Sequence, residues 1–190
     1  ILDAGASEAF AVADHQVAHV YVRHPEMIDQ VAAVCRAAPG VETVLDRAAM
    51  QSRNLLHERS GELMLIAKAG AWFTYYYWLD DDKAPDFART VDIHRKPGYD
   101  PVELCLNPKV TKIHLGLKLL KRRMGLRTLF DVIPLDATLV KGSHGRIDIP
   151  PDLQPIVIGS GLPRSIEPIL SEQVHDVILG QLFPEAAATK

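Results

Sequence analysis

Residues 141–146, KGSHGR, place a histidine in a loop of small residues between two apolar runs. His144 is flanked by Ser143 and Gly145, and Gly142 stands one position further upstream. Glycine lets a backbone approach a ligand closely, and a neutral imidazole is a good donor to Zn²⁺ and similar ions. His144 is therefore a candidate metal ligand. The alternative is an ordinary loop histidine with hydrogen-bonded ring nitrogens.

A second candidate pair lies near the start of the chain, in the segment VADHQ. Asp14 and His15 offer a carboxylate and an imidazole, which both suit a divalent cation. The alternative for this pair is a polar cap at the entry of the strand that follows. No H-E-x-x-H or paired C-x-x-C motif occurs, so a metal centre would have to be assembled from distant segments.

A third polar cluster lies in the segment VDIHRKPGYD, residues 91–100. His94, Arg95 and Lys96 are candidate substrate-binding residues, because guanidinium and ammonium groups donate hydrogen bonds to phosphate. Ordinary solvated loop charges are the alternative. The aromatic residues between Trp72 and Trp78 leave a similar choice, since they could stack on a planar ring or fill a core.

Composition limits the classes of protein to which the chain can belong. Its 190 residues are 47% hydrophobic and 24% charged, which is typical of one globular domain, with or without a small insert. A formal net charge of −3 argues against a nucleic-acid polymer as partner. We expect no membrane span, because no apolar run reaches about 20 residues. Two cysteines favour a reducing, cytoplasmic location, and the start at Ile1 leads us to expect part of a larger protein.

Hydrophobic periodicity predicts an α/β fold with a mixed sheet. A strand over residues 16–22, a helix that begins at Pro25 and is stopped by Pro39-Gly40, and a strand at VETVLD form a βαβ-like unit. A long loop is expected from Leu79 to Pro108, because this stretch has no sustained periodicity. The other predicted elements are strands in SGELMLIAKAG, AWFTYYYW and QPIVIGSG, and helices in KVTKIHLGLKLLKRRMGLRT and SEQVHDVILGQLF.

The stretch VIPLDATLVKGSHGR, followed by PIVIGSGLP and VHDVILGQLF, resembles the C-terminal end of the type I phosphodiesterase and nucleotide pyrophosphatase family. This family belongs to the alkaline phosphatase superfamily. The earlier segments AFAVADHQVAHVYV and GELMLIAKAGAWFTYYYWLDDDKAPDFARTVDIHRKPGYDP resemble a bacterial branch of the same superfamily. Asp14 and His15 resemble the family's adjacent Asp-His metal pair, but that pair is normally followed by glycine, whereas Gln16 follows here. The segment aligns better with the strand downstream of that pair.

The resemblance implies the C-terminal portion of an alkaline-phosphatase-like three-layer sandwich with a small α+β insert. Residues 1–16 and 109–190 would belong to that core, and residues 17–108 would form the insert. It also implies two divalent metal ions, most simply Zn²⁺, with His144 as one ligand and Asp14 and His15 as further candidates. The nucleophile would lie upstream of Ile1, so we expect the isolated chain to be inactive.

The resemblance implies a metal-dependent hydrolase of phosphodiester or pyrophosphate bonds in small phosphate esters or nucleotides. Two alternatives stay open at this point. One is a mutase or phosphonate hydrolase of the same superfamily. The other is a non-catalytic module that acts in binding or assembly, because no nucleophile can be assigned within these residues. The oligomeric state is not indicated by the sequence.

Overall fold

The computed structural model of the protein describes residues 3–91, 100–160 and 168–183. The chain divides into two compact units, residues 1–147 and residues 148–190. The candidate substrate-binding residues His94, Arg95 and Lys96 lie outside the described residues.

A four-stranded antiparallel sheet organises the first unit. Its strands are β1 (Ala9–Asp14), β2 (Val17–Val22), β3 (Val41–Asp46) and β4 (Leu63–Ala67). Their order across the sheet is β1-β2-β4-β3. Since Asp14 pairs with Val17, β1 and β2 form a hairpin that is closed by a two-residue turn, His15–Gln16.

The central strand β4 is buried along its whole length, because each face of the sheet carries a helix. Helix α1 (Ile28–Ala37) covers one face, where the buried Ala32 packs with Leu63 and Leu65. Helix α2 (Arg47–Ser52) covers the other, where Met50 packs with Met64 and Ile66. Burial of each large side chain contributes about 1.5–3 kcal/mol relative to exposure, so these two clusters stabilise the sheet.

Side-chain caps begin two of the four α-helices in the described residues. The carboxylate of Asp46 accepts a hydrogen bond from the Ala49 N–H at 2.7 Å and begins α2. The hydroxyl of Thr111 does the same for His114 at 3.2 Å and begins α3 (Lys112–Arg123). The described residues between β4 and α3 contain three short 3₁₀ helices: Asp81–Lys83, Asp86–Arg89 and Pro101–Leu104.

The second unit contains a short 3₁₀ helix, Pro151–Leu153, and the helix α4 (Gln173–Leu182). Another 3₁₀ helix, Ala137–Leu139, lies in the first unit. No helix in the described part of the chain is long and apolar enough to cross a membrane.

The α/β composition and the predicted helices are confirmed, but the mixed sheet and two of the predicted strands are wrong. The sheet is antiparallel rather than mixed, because β4 inserts between β2 and β3 and separates the ends of the βαβ-like unit. Residues 71–78 form no strand: the Phe73 and Tyr75 N–H groups bond to single partners rather than to a neighbouring ladder. Residues 154–160 form no strand either, and Ile158 is 85% exposed.

Candidate metal centre

Three potential metal donors converge at the β1–β2 turn. The ligand-type atoms of Asp14, His15 and His144 all lie within 4.8 Å of one another. Asp14 and His144 are exposed, and His15 is half-buried. The structure therefore brings together the three residues that the sequence selected as metal-ligand candidates.

His15 occupies an unusual backbone conformation. Its φ is +55°, in the left-handed region that few residues with a side chain adopt, although histidine is among the more tolerant. The strain is offset by hydrogen bonds on each side of the turn. The His15 carbonyl accepts from the Phe73 N–H at 2.7 Å, and the Gln16 carbonyl accepts from the Ala67 N–H at 2.9 Å. Strained backbone of this kind is frequent at functional sites.

The loop that carries His144 is fastened to the same turn by its main chain. The Gln16 N–H donates to the His144 carbonyl at 2.9 Å. Gly145 follows with φ +108°, and a Cβ atom there would lie 3.5 Å from the Asp14 carbonyl oxygen. A glycine thus lets the loop turn directly against the hairpin.

Arg146 anchors the loop one residue further on. Its guanidinium bonds to both carboxylate oxygens of Glu42 on β3 and to the Ala67 carbonyl at the end of β4. The Arg146 side chain is only 10% exposed. The hydrogen bond from Arg146 lowers the pKa of Glu42 below its usual range, so this pair is charged at neutral pH.

The two imidazole rings lie against each other, with centroids 4.1 Å apart and planes inclined by 44°. The Ser143 hydroxyl lies 3.3 Å from Nδ1 of His15. Neighbouring loop and turn residues therefore determine how each ring is placed.

A strap of residues 71–75 runs beside the turn. The buried Gln16 side chain donates to the Ala71 carbonyl at 2.9 Å. The Tyr75 hydroxyl donates to Oδ1 of Asp14 at 3.3 Å. Burial, reinforced by the Asp14 carboxylate, raises the pKa of Tyr75 above its ordinary value of 10, so the hydroxyl keeps its proton at neutral pH.

Asp100 supports the strap from inside the unit. It is 1% exposed, and its two carboxylate oxygens accept from the Tyr75 N–H at 3.2 Å and from the Val102 N–H at 3.0 Å. Burial raises the pKa of this carboxyl above its ordinary value, while both hydrogen bonds favour the charged form. Asp100, which the sequence placed in a polar cluster, is thus a buried anchor in the structure.

Two imidazoles and one carboxylate form a donor set that suits Zn²⁺. A cation held by three protein ligands keeps a coordination position open, as catalytic zinc sites do. Asp14 is the one carboxylate of the cluster, so a divalent ion there would keep net positive charge for an anionic ligand. The residues present therefore fit a divalent metal.

A comparison with known protein families identifies the family of this chain. The sequence model of the type I phosphodiesterase / nucleotide pyrophosphatase family matches residues 1–100. The chain belongs to this family. No curated protein and no solved structure matches it significantly. The matched residues of this phosphodiesterase family member include Asp14 and His15, whereas His144 lies beyond them.

Family membership confirms the resemblance inferred from the sequence. The family comprises hydrolases of phosphodiester or pyrophosphate bonds that act on small molecules or nucleotides and are typically metal-dependent. The placement of the chain at the C-terminal end of such a protein stays a prediction.

Sequence reasoning missed the residues that hold the donors in place. Arg146 had a weak signal, as a cation directly after the glycine that follows His144. Tyr75 lies in an aromatic run, and nothing in the sequence distinguishes it from its neighbours. Gln16 was noted only because the family's Asp-His pair is normally followed by glycine. Their partners are distant in sequence, so the fold alone reveals these contacts.

Proposed function

We propose that this chain contributes a divalent-metal site to a hydrolase of phosphodiester or pyrophosphate bonds. Asp14, His15 and His144 would hold the metal, most simply Zn²⁺. The observation that supports this proposal is the convergence of these three donors within 4.8 Å, in a member of a typically metal-dependent family.

A divalent ion at this site would neutralise phosphoryl oxygens and lower the pKa of a bound hydroxyl or water. The protein's own part is to hold the donors. The hairpin turn carries the Asp14 carboxylate and the His15 ring, and the Gln16 N–H keeps the His144 loop beside them. Because the three side chains are exposed or half-buried, a small phosphate ester or nucleotide would reach them from solvent.

The finer predictions from the sequence belong to this proposal. They are a second metal ion, a role for His94, Arg95 and Lys96 in binding the substrate phosphate, and an alkaline-phosphatase-like sandwich. We also propose the division of this sandwich into a core of residues 1–16 and 109–190 and an insert of residues 17–108. A reducing, cytoplasmic setting is supported by Cys35 and Cys105, which are both free thiols.

Metal binding is tested before catalysis, because the proposal assigns metal ligands but no nucleophile among the described residues. Zinc is titrated into the metal-free protein by isothermal titration calorimetry. We expect one equivalent to bind to the wild type and the affinity to fall at least tenfold in His144→Ala. His114→Ala, which removes an exposed histidine on α3, is the matched control and is expected to bind like the wild type.

Equal zinc affinity in the wild type and His144→Ala would contradict the proposed site. Hydrolysis of bis(4-nitrophenyl) phosphate is then measured with zinc present. We expect negligible turnover by this chain alone, because no nucleophilic side chain has been assigned among the described residues. Robust turnover that is lost in His144→Ala would show that this chain supplies a working catalytic site by itself.

A further inference from the structure

We propose that Tyr75 is a positioning residue of the metal centre, which orients the Asp14 carboxylate through its hydroxyl and is itself held by the buried Asp100. This inference rests on the proposed metal site, and it adds two residues outside the donor set.

Tyr75 contacts two of the three donors with one side chain. Its hydroxyl donates to Oδ1 of Asp14 at 3.3 Å. Its ring meets the His15 ring edge-on, with centroids 6.1 Å apart and planes inclined by 86°. An exposed aspartate at the end of a strand samples several rotamers, and contact with a ring that also packs on His15 restricts them.

Tyr75 can act in this way because its own main chain is held at two points. Two residues earlier, the Phe73 N–H donates to the His15 carbonyl at 2.7 Å. At Tyr75 itself, the N–H donates to Oδ2 of Asp100 at 3.2 Å. Asp100 cannot move freely, since it is 1% exposed and its other oxygen accepts from Val102. The buried carboxylate thus holds the Tyr75 main chain, from which the side chain extends to Asp14.

A hydrogen bond to one carboxylate oxygen leaves the other oxygen to coordinate a cation. Partners of this kind typically change metal affinity by about 10–100-fold. The Tyr75–Asp14 distance exceeds the usual 2.7–2.8 Å of an O–H···O bond, so we expect an effect at or below the lower end of that range, about threefold to tenfold.

The competing interpretation is that Tyr75 only fills space as an aromatic side chain. Tyr75→Phe separates the two, because it keeps the ring and removes the hydroxyl. Tyr21→Phe is the matched control: the Tyr21 hydroxyl donates to the Arg59 carbonyl at 2.9 Å, and neither residue belongs to the donor cluster.

Zinc affinity is measured by calorimetry for the wild type, both phenylalanine variants and His144→Ala, with thermal unfolding of the metal-free proteins alongside. We expect Tyr75→Phe to bind zinc about threefold to tenfold more weakly. Tyr21→Phe is expected to bind like the wild type. Melting temperatures of the two phenylalanine variants should agree within a few degrees. The Co²⁺-substituted Tyr75→Phe protein should also show a visible spectrum altered from that of the wild type.

Asp100→Ala tests the second half of the proposal, because it removes both acceptor oxygens, whereas asparagine would keep one oxygen that can still accept from the Tyr75 N–H. We expect weaker zinc binding in this variant, although all three donors are intact. Its thermal unfolding is measured alongside, and unchanged zinc affinity in the folded Asp100→Ala protein would remove Asp100 from the proposal.

The outcomes distinguish this inference from the metal site on which it rests. If His144→Ala loses zinc and Tyr75→Phe does not, the metal site stands and the positioning role of Tyr75 is overturned. If the wild type binds no zinc, the proposed metal site is wrong and the positioning role falls with it.

Discussion

The main-chain N–H of Gln16 donates to the main-chain carbonyl of His144 at 2.9 Å. This bond joins the hairpin turn to the loop that carries the third donor, and it does not involve the imidazole. Replacement of His144 by alanine therefore removes the ring and leaves the fastening of the loop intact. Loss of metal binding in that variant would report on the donor itself.

Gly145 is expected to be more sensitive to substitution than its neighbour Gly142. An alanine at position 145 would have to adopt φ +108°, a strained conformation that costs about 1–3 kcal/mol. Space is not the cause, because the nearest atoms to an added Cβ are 3.5 Å away. We expect Gly145→Ala to weaken zinc binding as the loop shifts, measured by calorimetry.

Gly142→Ala is the control for that substitution. No atom lies within 4 Å of a Cβ built there, and its φ is not in the left-handed region. Gly142→Ala should bind zinc like the wild type. Equal affinities in the two alanine variants would show that the conformation of Gly145 does not control the loop.

The ion pair between Glu42 and Arg146 predicts a pH dependence of stability. The folded-state pKa of Glu42 lies below its ordinary 4.5, so the stabilisation is complete above that pH and is lost as the pH falls through the lowered pKa. We expect Glu42→Gln to be less stable than the wild type in urea unfolding at pH 7. The difference should shrink at pH 3, and a difference that persists there would assign it to another cause.

Side-chain periodicity was sufficient to predict most of the regular elements. The β-branched residues of VETVLD and the apolar run around Leu63–Ala67 became β3 and β4. Strand β1 was missed because its hairpin turn, His15–Gln16, contains none of the glycine or asparagine that usually signals such a turn. The aromatic segment after Trp72 was wrongly predicted to be a strand. Aromatic residues have a high β-propensity because they pack well in sheets, but propensity does not show whether a neighbouring strand is available for pairing.

Donor chemistry together with the family resemblance made Asp14, His15 and His144 metal-ligand candidates in the sequence. Their proximity could not be derived from the sequence, because it depends on a hydrogen bond between main-chain atoms of Gln16 and His144. Main-chain donors and acceptors are nearly the same in every residue type, so the sequence does not indicate which of them will bond. The same reason hid Asp100, whose carboxylate binds two backbone N–H groups rather than another side chain.

Gly61 is expected to tolerate no side chain, because β2 passes directly over it. A Cβ there would lie 2.4 Å from the Val20 carbonyl oxygen and 2.8 Å from its carbon. These are backbone atoms of a strand paired on both edges, so neither can move without loss of sheet hydrogen bonds. We expect Gly61→Ala to lower the free energy of unfolding by about 3 kcal/mol, measured by urea denaturation.

Gly70→Ala is the matched control for this steric prediction, since nothing lies within 4 Å of a Cβ at position 70. It should change stability little. Comparable losses in Gly61→Ala and Gly70→Ala would contradict the close approach of Val20 to Gly61.

Gln16 connects the turn to the strap of residues 71–75. Its side chain is buried, and its amide donates to the Ala71 carbonyl at 2.9 Å and lies 3.4 Å from the Ala69 carbonyl. Its main chain bonds both to His144 and to Ala67. A glycine at this position would keep the main-chain bonds and lose the side-chain bonds.

Gln16→Ala is therefore expected to loosen the strap while the turn stays paired. The Ala71 carbonyl would lose this donor, and because Ala71 is only half-buried the cost is expected at the lower end of the range of about 1–3 kcal/mol for a buried unsatisfied group. The proposed metal site should respond as well, because the strap places Tyr75 against Asp14. We expect lower stability in urea and weaker zinc binding, whereas Gln51→Ala, at an exposed position of α2, should change neither. If Gln16→Ala loses stability but binds zinc like the wild type, the strap does not act on the donors.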